Sequence, residues 1–418
     1  MQKYSQTINQ ELINFHPVTG KFSDEFVGIK YISDRVLIHY PESFSLTFDN
    51  PKTLRNEILS LITSIQYGKS NSQYFDLKDQ DDSSDTTPIA SMIWVLKDYI
   101  SNGIYDEMES VYKNNLKGKI NWKRTIANTL SKSSHFPLND SIISENKISL
   151  ANIIADLHYE TLKTSSKHLG WLLNVDSRIF GSSRINLKRI KYYVYLIENE
   201  IHRTFNDIQR LRLVNIRKIL EWVGDDSISN FSYGTNHYYF VFETIVNRVF
   251  GNLSDKIYNP SAKWYLNEEK GFNTNTLRPD TIYLEDNRAV IIDSKYYRYG
   301  STLNLNDLPN VDSIQKQTTY LEFFKANFPS FKQVSTAFFM PYNKQSIVGT
   351  NNNIKYIGYA ISDWKATSKS ASDYYIQTYL VDLKSLIYSW KSGNYSDIRS
   401  EFYRTIFDDS LILMNMKG

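Results

Sequence analysis

The chain has 418 residues, of which 41% are hydrophobic and 22% charged, and it contains no cysteine. This balance is typical of a globular protein with a sizeable core, and the length predicts two domains. The absence of cysteine excludes disulfides and zinc–thiolate sites. The net charge is only +3, so any binding of nucleic acid must depend on local basic patches.

The first residues, MQKYSQTINQ, show no basic region followed by an apolar core, so we expect no signal peptide. No apolar run approaches the roughly 20 residues that a membrane helix needs. We therefore expect a cytoplasmic protein that makes no contact with a membrane.

The N-terminal half mixes one predicted hairpin with several helices. Alternating apolar and polar residues predict a β-hairpin over residues 27–41. Apolar residues at helical spacing predict helices over residues 54–65, 89–100 and 152–173, and a broken helical region over 186–223. Turn-forming residues predict loops over 69–88 and 225–232.

Helices and strands alternate in the C-terminal part. The pattern predicts helices over 237–250 and 313–327, and strands over 281–284, 289–293, 333–341, 354–361 and 374–381. We therefore predict a mixed α/β domain over residues 1–150, a helical connecting region over 151–225, and a domain with a central mixed sheet flanked by helices over 226–418. The fold class is α+β and α/β.

The segment RPDTIYLEDNRAVIIDSKYY contains the strongest candidate site. Asp280 begins the first predicted strand, and Asp293 and Lys295 end the second. Residues two apart in a strand share a face, and the short turn brings Asp280 beside them. Two converging carboxylates need a cation, and Mg²⁺ or Mn²⁺ fits because hard ions prefer carboxylates, water and phosphate oxygens. The nearby amine can orient or deprotonate a water, or stabilise charge at phosphorus, so the set suits phosphodiester hydrolysis.

The D-x-K or E-x-K spacing is common, and most examples are solvated surface pairs. The same spacing begins at Asp76, Glu145, Glu268, Asp363 and Asp382. Asp293 differs because it follows the apolar run AVII, which predicts a buried strand, and because a Pro-Asp precedes that strand.

Neighbouring helices supply supporting candidates. Glu243 lies amid apolar residues of the helix before the hairpin, where it either reaches the metal as a further ligand or is an ordinary surface glutamate. Gln315, Gln317 and Tyr320 lie on the helix after it. They could hold a phosphate backbone or orient Lys295, and ordinary helix-surface polarity is the alternative.

Basic residues outside this segment are candidates for contact with DNA or a protein partner. Lys119, Lys123 and Arg124 surround Trp122, and Arg278 precedes the Pro-Asp pair. Residues 184–218 contain nine Lys/Arg against three Asp/Glu. A DNA-contacting face, a solvated face and a partner surface all remain open for this region.

The Pro279-Asp280 pair, the Asp293-Ser294-Lys295 element, and the flanking helices with Glu243 and the glutamines resemble the PD-(D/E)-x-K nuclease superfamily. Together with the N-terminal hairpin and the stretch GKINWKRT, they resemble McrC, the nuclease subunit of McrBC-type restriction systems, and more closely the LlaJI-type restriction endonuclease family. The resemblance implies a restriction-endonuclease-like C-terminal domain. It also implies double-stranded DNA as substrate, and a separate McrB-like AAA+ NTPase, usually a GTPase, on which the N-terminal half docks and whose hydrolysis it stimulates.

No motor is expected in this chain itself. Gly68-Lys69-Ser70 ends like a phosphate-binding loop, but Thr63 stands where its first glycine belongs, and the preceding residues favour a helix over a strand. A metal-dependent endonuclease subunit of a restriction system is therefore the leading interpretation, and two nuclease domains could pair to cut both strands. A non-catalytic regulator of the NTPase with a vestigial nuclease domain, and a stand-alone DNA repair nuclease, are the alternatives.

Overall fold

The protein is described from a computed structural model. The structure describes residues 13–19, 25–32, 35–71, 88–105, 108–114, 122–123, 126, 142–148, 153–181, 185–224, 231–253, 256–265, 271–273, 276–346, 351–367 and 370–407. Contacts between residues divide the chain into two compact units: residues 7–85 with 229–418, and residues 1–6 with 86–228.

Strands and helices are numbered in chain order. The strands are β1 Ile13–Val18, β2 Val27–Ile32, β3 Arg35–Pro41, β4 Met108–Asn114, β5 Ile142–Ile148, β6 Phe231–Thr235, β7 Lys263–Trp264, β8 Phe272–Asn273, β9 Thr281–Glu285, β10 Arg288–Ser294, β11 Gln333–Tyr342, β12 Ile354–Ala360 and β13 Ile376–Asp382. The helices are α1 Pro51–Asn71, α2 Ile89–Asn102, α3 Ile153–Leu173, α4 Ile190–Arg203, α5 Asp207–Val223, α6 Tyr238–Phe250, α7 Tyr299–Thr302, α8 Val311–Asn327, α9 Asp363–Ala366, α10 Leu383–Ser392 and α11 Ser396–Ile406.

A five-stranded mixed sheet in the order β12-β13-β11-β10-β9 is the centre of the C-terminal part. The pairs β10–β11 and β11–β13 are parallel, whereas β9 and β12 are antiparallel edge strands. Helix α8 makes the crossover between β10 and β11, as parallel neighbours require. The predicted α+β class and the predicted mixed sheet are confirmed.

Helices cover both faces of strand β10, which explains its run of apolar residues. Val290 and Ile292 belong to the core formed with α6. Ala289 and Ile291, which point the other way, pack with Tyr320 of α8. Asp293 continues the alternation on the α8 face, so the sheet presents this aspartate where α8 begins.

The N-terminal segment shares a core with the C-terminal sheet. Its strands form a second sheet in the order β1-β3-β2-β6, in which β6 leads directly into α6. Leu61 and Ile65 of α1 belong to the same apolar cluster as α6. The two helices approach closely at Gly68, where a Cβ atom would lie 2.8 Å from Val241 Cγ2. Gly68 is therefore a helix-packing residue within α1 and not part of a phosphate-binding loop.

A buried ion pair joins α1 to α10. Glu57, which is fully buried, pairs with Lys384. The Thr47 backbone N–H and hydroxyl donate hydrogen bonds of 2.6 and 2.7 Å to the same carboxylate. These contacts stabilise the N-terminal helix against the C-terminal sheet, because a buried charge must be paired and hydrogen-bonded.

The second unit contains helices α2 to α5 and the β4–β5 hairpin. Leu157 of α3 packs with Ile197 and Ile201 of α4 and with Leu213 and Ile216 of α5. Arg212 of α5 forms a buried ion pair with Asp98 of α2, with 2.6 Å between Arg212 Nε and Asp98 Oδ2. Burial lowers the pKa of His158 to about 4, so this histidine is neutral and its Nδ1 accepts a hydrogen bond from the Tyr105 backbone N–H at 2.8 Å.

The hairpin over 27–41 and the long helices are confirmed, and the helix and strand order after residue 237 is confirmed too. The predicted loop over 69–88 was too long, because residues 69–71 complete α1, and the rest up to residue 87 lies outside the described residues. The units do not follow the predicted boundaries at 150 and 225, because residues 7–85 pack with residues 229–418. No helix in the described ranges is both long enough and apolar enough to cross a membrane.

Candidate active site

The candidate site lies where strands β9 and β10 end together. The antiparallel register pairs Thr281 with Ile292. Asp280 and Asp293 are the next residue on each strand, so they lie opposite each other just beyond the last pair. The Asp280 Oδ2 atom accepts a hydrogen bond of 2.8 Å from the Ser294 backbone N–H. The structure therefore brings the two aspartates together, as the hairpin geometry predicts.

Asp293 is buried, with only 1% of its surface exposed. Its Oδ2 atom lies 2.7 Å from Lys295 Nζ in an ion pair. Among the described residues, neither carboxylate oxygen accepts a hydrogen bond of good geometry. The Lys295 backbone N–H donates a hydrogen bond of 2.8 Å to Phe339 O of the neighbouring strand, which fixes the backbone that carries the lysine. A buried carboxylate that has ammonium groups nearby but no backbone N–H donor among the described residues retains free acceptor positions, so this group is expected to bind a further cation or a ligand.

Burial and neighbouring charges raise the pKa of two acids of the site, Asp280 and Glu243. Burial, followed by the charges of Asp293 and Glu243, raises the pKa of Asp280 well above its usual value. Burial raises the pKa of Glu243; the guanidinium of Arg278 opposes this shift and Asp293 adds to it. Burial acts to lower the pKa of Lys295, but the Asp293 carboxylate outweighs it and the pKa is raised. Burial and mutual repulsion therefore disfavour the charged forms of Asp280 and Glu243, and a bound cation would favour them.

Lys316 of α8 is a second cation of the site that the sequence did not indicate. Its Nζ lies 3.9 Å from Asp293 Oδ1, and its charge lowers the pKa of Asp280 and of Glu243. The sequence pattern had indicated Gln315 and Gln317 as candidates, but not the lysine between them. The available signal was the sequence position of Lys316 one turn before Tyr320, on a helix predicted to cover the site.

The three predicted α8 side chains have different surroundings. Gln315 donates a hydrogen bond of 3.2 Å to Ser362 Oγ and is engaged there. Gln317 is fully buried, and both of its amide atoms have no partner among the described residues. Tyr320 is also fully buried; burial, and then the charges of Asp280 and Asp293, raise the pKa of its hydroxyl. Tyr320 thus offers a polar atom within electrostatic range of the acids, whereas Gln317 has unpartnered amide atoms and Gln315 is engaged by Ser362.

The carboxylates of the site form a small set of possible ligands for a divalent metal. No three acidic or histidine side chains converge as a metal-binding group within the described ranges. Glu243 is in electrostatic range of both aspartates but does not complete such a group. Mg²⁺ is commonly bound by one or two carboxylates, with water and phosphate supplying the other oxygens. Asp280 and Asp293, with unsatisfied oxygens on Asp293, fit that smaller set.

The predicted basic contacts are only partly described. Trp122 and Lys123 are exposed, whereas Lys119 and Arg124 lie outside the described residues. Arg278 is exposed at the chain entry to the site, close enough to Glu243 to lower the pKa of that carboxyl. DNA or partner binding by these residues stays a prediction.

Comparisons with known proteins place this site in a family context. No curated protein matches the chain. Among solved structures, a chain of a Thermococcus gammatolerans half-complex, described as McrB AAA+ hexamers with bound McrC, matches with 12% identity and a TM-score of 0.38, covering 89% of this chain and 82% of that chain. A chain of the Thermococcus gammatolerans McrBC complex matches with 15% identity and a TM-score of 0.25, covering 55% of this chain and 68% of that chain. Likeness at these scores is too low to support an argument about the fold.

The family model is decisive because of its length. The model of the LlaJI restriction endonuclease matches residues 26–368, which include the N-terminal hairpin, the inserted unit, and the site residues from 243 to 320. The chain belongs to the LlaJI restriction endonuclease family.

Proposed function

We propose that the chain is a divalent-metal-dependent DNA endonuclease whose active site contains Asp280, Asp293 and Lys295. The observation that carries the proposal is the state of Asp293: the carboxylate is buried, paired with Lys295, and accepts no well-formed hydrogen bond from the described residues. Membership in a restriction endonuclease family supports the same chemistry.

Asp280 and Asp293 would hold the metal, with Glu243 as an additional acid that binds through water or after a small movement. When bound, Mg²⁺ or Mn²⁺ would neutralise charge on the scissile phosphate and lower the pKa of a water molecule. Asp280 is already oriented by the Ser294 backbone N–H. Preorganised carboxylates of this kind bind a metal without a further loss of side-chain entropy.

Lys295 and Lys316 would supply positive charge where negative charge develops on the phosphate oxygens. Both ammonium groups lie within 4 Å of an Asp293 oxygen, at 2.7 and 3.9 Å. A fixed cation in a partly buried site stabilises developing charge more strongly than one in water. Lys295 lies at the strand end and would also orient the attacking water.

We further infer a separate NTPase partner. The resemblance to McrBC-type systems implies an AAA+ GTPase that moves or selects double-stranded DNA while this chain cuts it. Residues 51–71 form a helix that packs on α6, so the sequence ending in Gly68-Lys69-Ser70 cannot form a phosphate-binding loop there. Two nuclease sites are needed to cut both strands, so two copies are expected to act together.

The test is cleavage of plasmid DNA by the full chain with the NTPase of its own system, with Mg²⁺ present and NTP supplied or omitted. Asp293→Asn should abolish cutting. The matched control is Asp363→Asn, which alters a D-x-K pair on the exposed helix α9 and should cut normally.

Each alternative gives a different result in the same assay. Equal cutting by the wild type and Asp293→Asn would reject this active site. No cutting by the wild type, combined with stimulation of the NTPase, would support the non-catalytic regulator. Full cutting without NTP or partner would support the stand-alone repair nuclease.

A further inference from the structure

The turn between α4 and α5 presents apolar side chains to solvent. Phe205 is 98% exposed, and Ile208 and Leu211, at successive spacings of three residues, are 61% and 46% exposed. Single exposed apolar residues are ordinary, but a contiguous apolar patch at the tip of a helical hairpin is not. We call the patch formed by Phe205, Ile208 and Leu211 the α4–α5 tip.

The backbone on both sides of Phe205 is held by hydrogen bonds. Thr204 ends α4, and its backbone N–H and hydroxyl donate to Glu200 O at 3.0 and 2.8 Å. Asn206 caps α5, because its side-chain oxygen accepts hydrogen bonds of 3.0 and 3.1 Å from the Ile208 and Gln209 backbone N–H groups. A phenyl ring projecting from a capped turn is preorganised, so binding through it costs little additional entropy.

The fold does not require the ring. The core between α3, α4 and α5 is formed by residues on the inner faces of the helices, such as Ile197, Leu213 and Ile216. Phe205 is almost fully exposed and adds nothing to that core. An exposed ring that serves no packing role is free to serve as a contact.

The charges around the tip identify the class of partner. Arg203 and Arg210 flank Phe205, are exposed, and form no ion pair with the described residues. Elsewhere on α5 the arginines are neutralised: Arg212 pairs with Asp98, and Arg217 pairs with Glu198 at 3.2 Å. Asp207 is the one acid between the two free arginines in the sequence. The tip thus has two exposed guanidinium groups and one exposed carboxylate around its apolar side chains. This excess of positive charge beside an apolar surface is complementary to duplex DNA, which has phosphates outside and stacked bases inside.

We propose that the α4–α5 tip is a DNA-contacting wedge, in which Phe205 inserts at a base step while Arg203 and Arg210 bind the adjacent phosphates. Apolar side chains used in this way unstack a base step and kink the duplex, and arginine contacts to phosphate supply affinity without sequence selectivity. Ile208 and Leu211 would cover the sugar edges beside the opened step. This inference rests on the proposed function and adds to it a surface through which the nuclease would bind duplex DNA.

The experiment measures binding of the full chain to a duplex that carries a fluorescent purine analogue, in an Asp293→Asn background so that no cutting intervenes. Phe205→Ala should weaken binding by on the order of tenfold and abolish the rise in fluorescence that reports unstacking. Phe205→Trp should retain both. Ile179→Ala, which alters another exposed apolar residue of the same unit, is the matched control and should bind normally.

The arginines have a separate readout. Arg203→Gln and Arg210→Gln should each reduce the slope of log affinity against log salt by about one, because each removes one phosphate contact. Circular dichroism of every variant should match the wild type, since the tip lies outside the core.

The outcomes separate this inference from the proposed function. Unchanged affinity and unchanged fluorescence in Phe205→Ala overturn the wedge, even if the wild type cuts DNA. Loss of partner binding without loss of DNA binding also overturns it and makes the tip a protein interface. If the wild type never cuts DNA but Phe205→Ala loses the fluorescence change, the endonuclease proposal fails and the wedge stands.

Discussion

Two parallel strands of the same sheet, β10 and β13, each have a buried aspartate at or next to their last residue, followed two residues later by a lysine. Asp293 and Asp382 are each 1% exposed. Asp382 is fully satisfied by backbone donors: its Oδ1 accepts from Lys344 N–H at 3.0 Å, and its Oδ2 caps α10 by accepting from Ser385 N–H at 2.9 Å. Asp293 has no such donors among the described residues.

The two lysines that follow these aspartates have different ion-pair partners. Lys295 pairs with the aspartate of its own motif, whereas Lys384 pairs with Glu57 of α1. The spacing D-x-K therefore does not decide between chemistry and structure, even when it follows a buried strand. What decides is whether backbone N–H groups satisfy the carboxylate oxygens, because a buried acid that lacks such donors retains its capacity to bind a cation.

The largest expected difference between the two sites is in DNA cleavage, when each aspartate is neutralised in a separate variant. We expect Asp293→Asn to slow DNA cleavage by on the order of 10³-fold or more, because a metal ligand is lost. Asp382→Asn should leave cleavage nearly unchanged but lower stability by about 1–3 kcal/mol, because an amide has one acceptor oxygen for the two backbone N–H groups that Asp382 accepts from. Rates of plasmid cutting and urea midpoints for the two variants test it, and equal cleavage defects would erase the distinction.

The lysines provide the next largest effect. Lys384→Gln should destabilise the protein by about 3 kcal/mol, because it leaves the buried Glu57 without its cation. The double variant Glu57→Gln/Lys384→Gln should recover much of that loss. Urea unfolding of the two singles and the double measures the coupling, and additive losses would show that the pair does not stabilise the fold.

Lys316 tests the charge balance of the candidate site. Lys316→Gln should lower cleavage about tenfold at neutral pH, since removing a charge near a developing negative charge costs roughly 1.4 kcal/mol or more. The acid limb of the pH–rate profile should also move to higher pH, because Lys316 lowers the pKa of Asp280 and Glu243. Lys316→Arg should restore the profile.

The control for this variant is Lys325→Gln on the same helix, where the side chain donates to Asp373 O at 3.0 Å on the surface. It should cut like the wild type. A profile that does not move in Lys316→Gln would mean that the lysine does not act on the acids.

The smallest expected effect is a change in the stability of the metal-free protein when Asp280 is neutralised. A carboxyl whose folded pKa is raised favours the folded state only while protonated, and that contribution is lost as pH rises through the folded pKa. Metal-free Asp280→Asn should therefore melt higher than the wild type at neutral and alkaline pH, by roughly 2–4 °C. The gap should close as pH falls. Thermal melts in EDTA across pH measure this, and a gap that widens in acid would contradict the direction of the pKa shift.

The sequence was sufficient for the parts of the fold that local pattern controls. Alternation identified β2 and β3, the apolar run AVII and the turn before it identified the hairpin of β9 and β10, and helical spacing identified α6 and α8. The pairing of Asp280 with Asp293 followed from a short turn, which fixes the register of a hairpin. These features depend on residues close together in the chain.

Long-range features could not be obtained in the same way. The packing of α1 on α6 at Gly68 joins residues far apart in the sequence, and Gly68 looked like part of a failed phosphate-binding loop. Lys316 was missed because its role depends on how α8 crosses the sheet and not on its neighbours. The hydrogen bond from the Lys344 N–H to Asp382 also cannot be predicted from the sequence, because the two residues are far apart in the chain.

The discontinuous unit has a consequence for the order of events during synthesis. Strands β1 to β3 and helix α1 leave the ribosome first, but their sheet lacks β6 and their core lacks α6 until more than 140 residues of inserted chain, 86–228, have followed. The acids at 280 and 293 emerge later still. A fragment that stops before residue 229 therefore lacks the candidate acids, and a fragment that starts after residue 85 has the acids without α1, which packs on Val241. Only a chain synthesised through both parts can complete the core that α1 and α6 share.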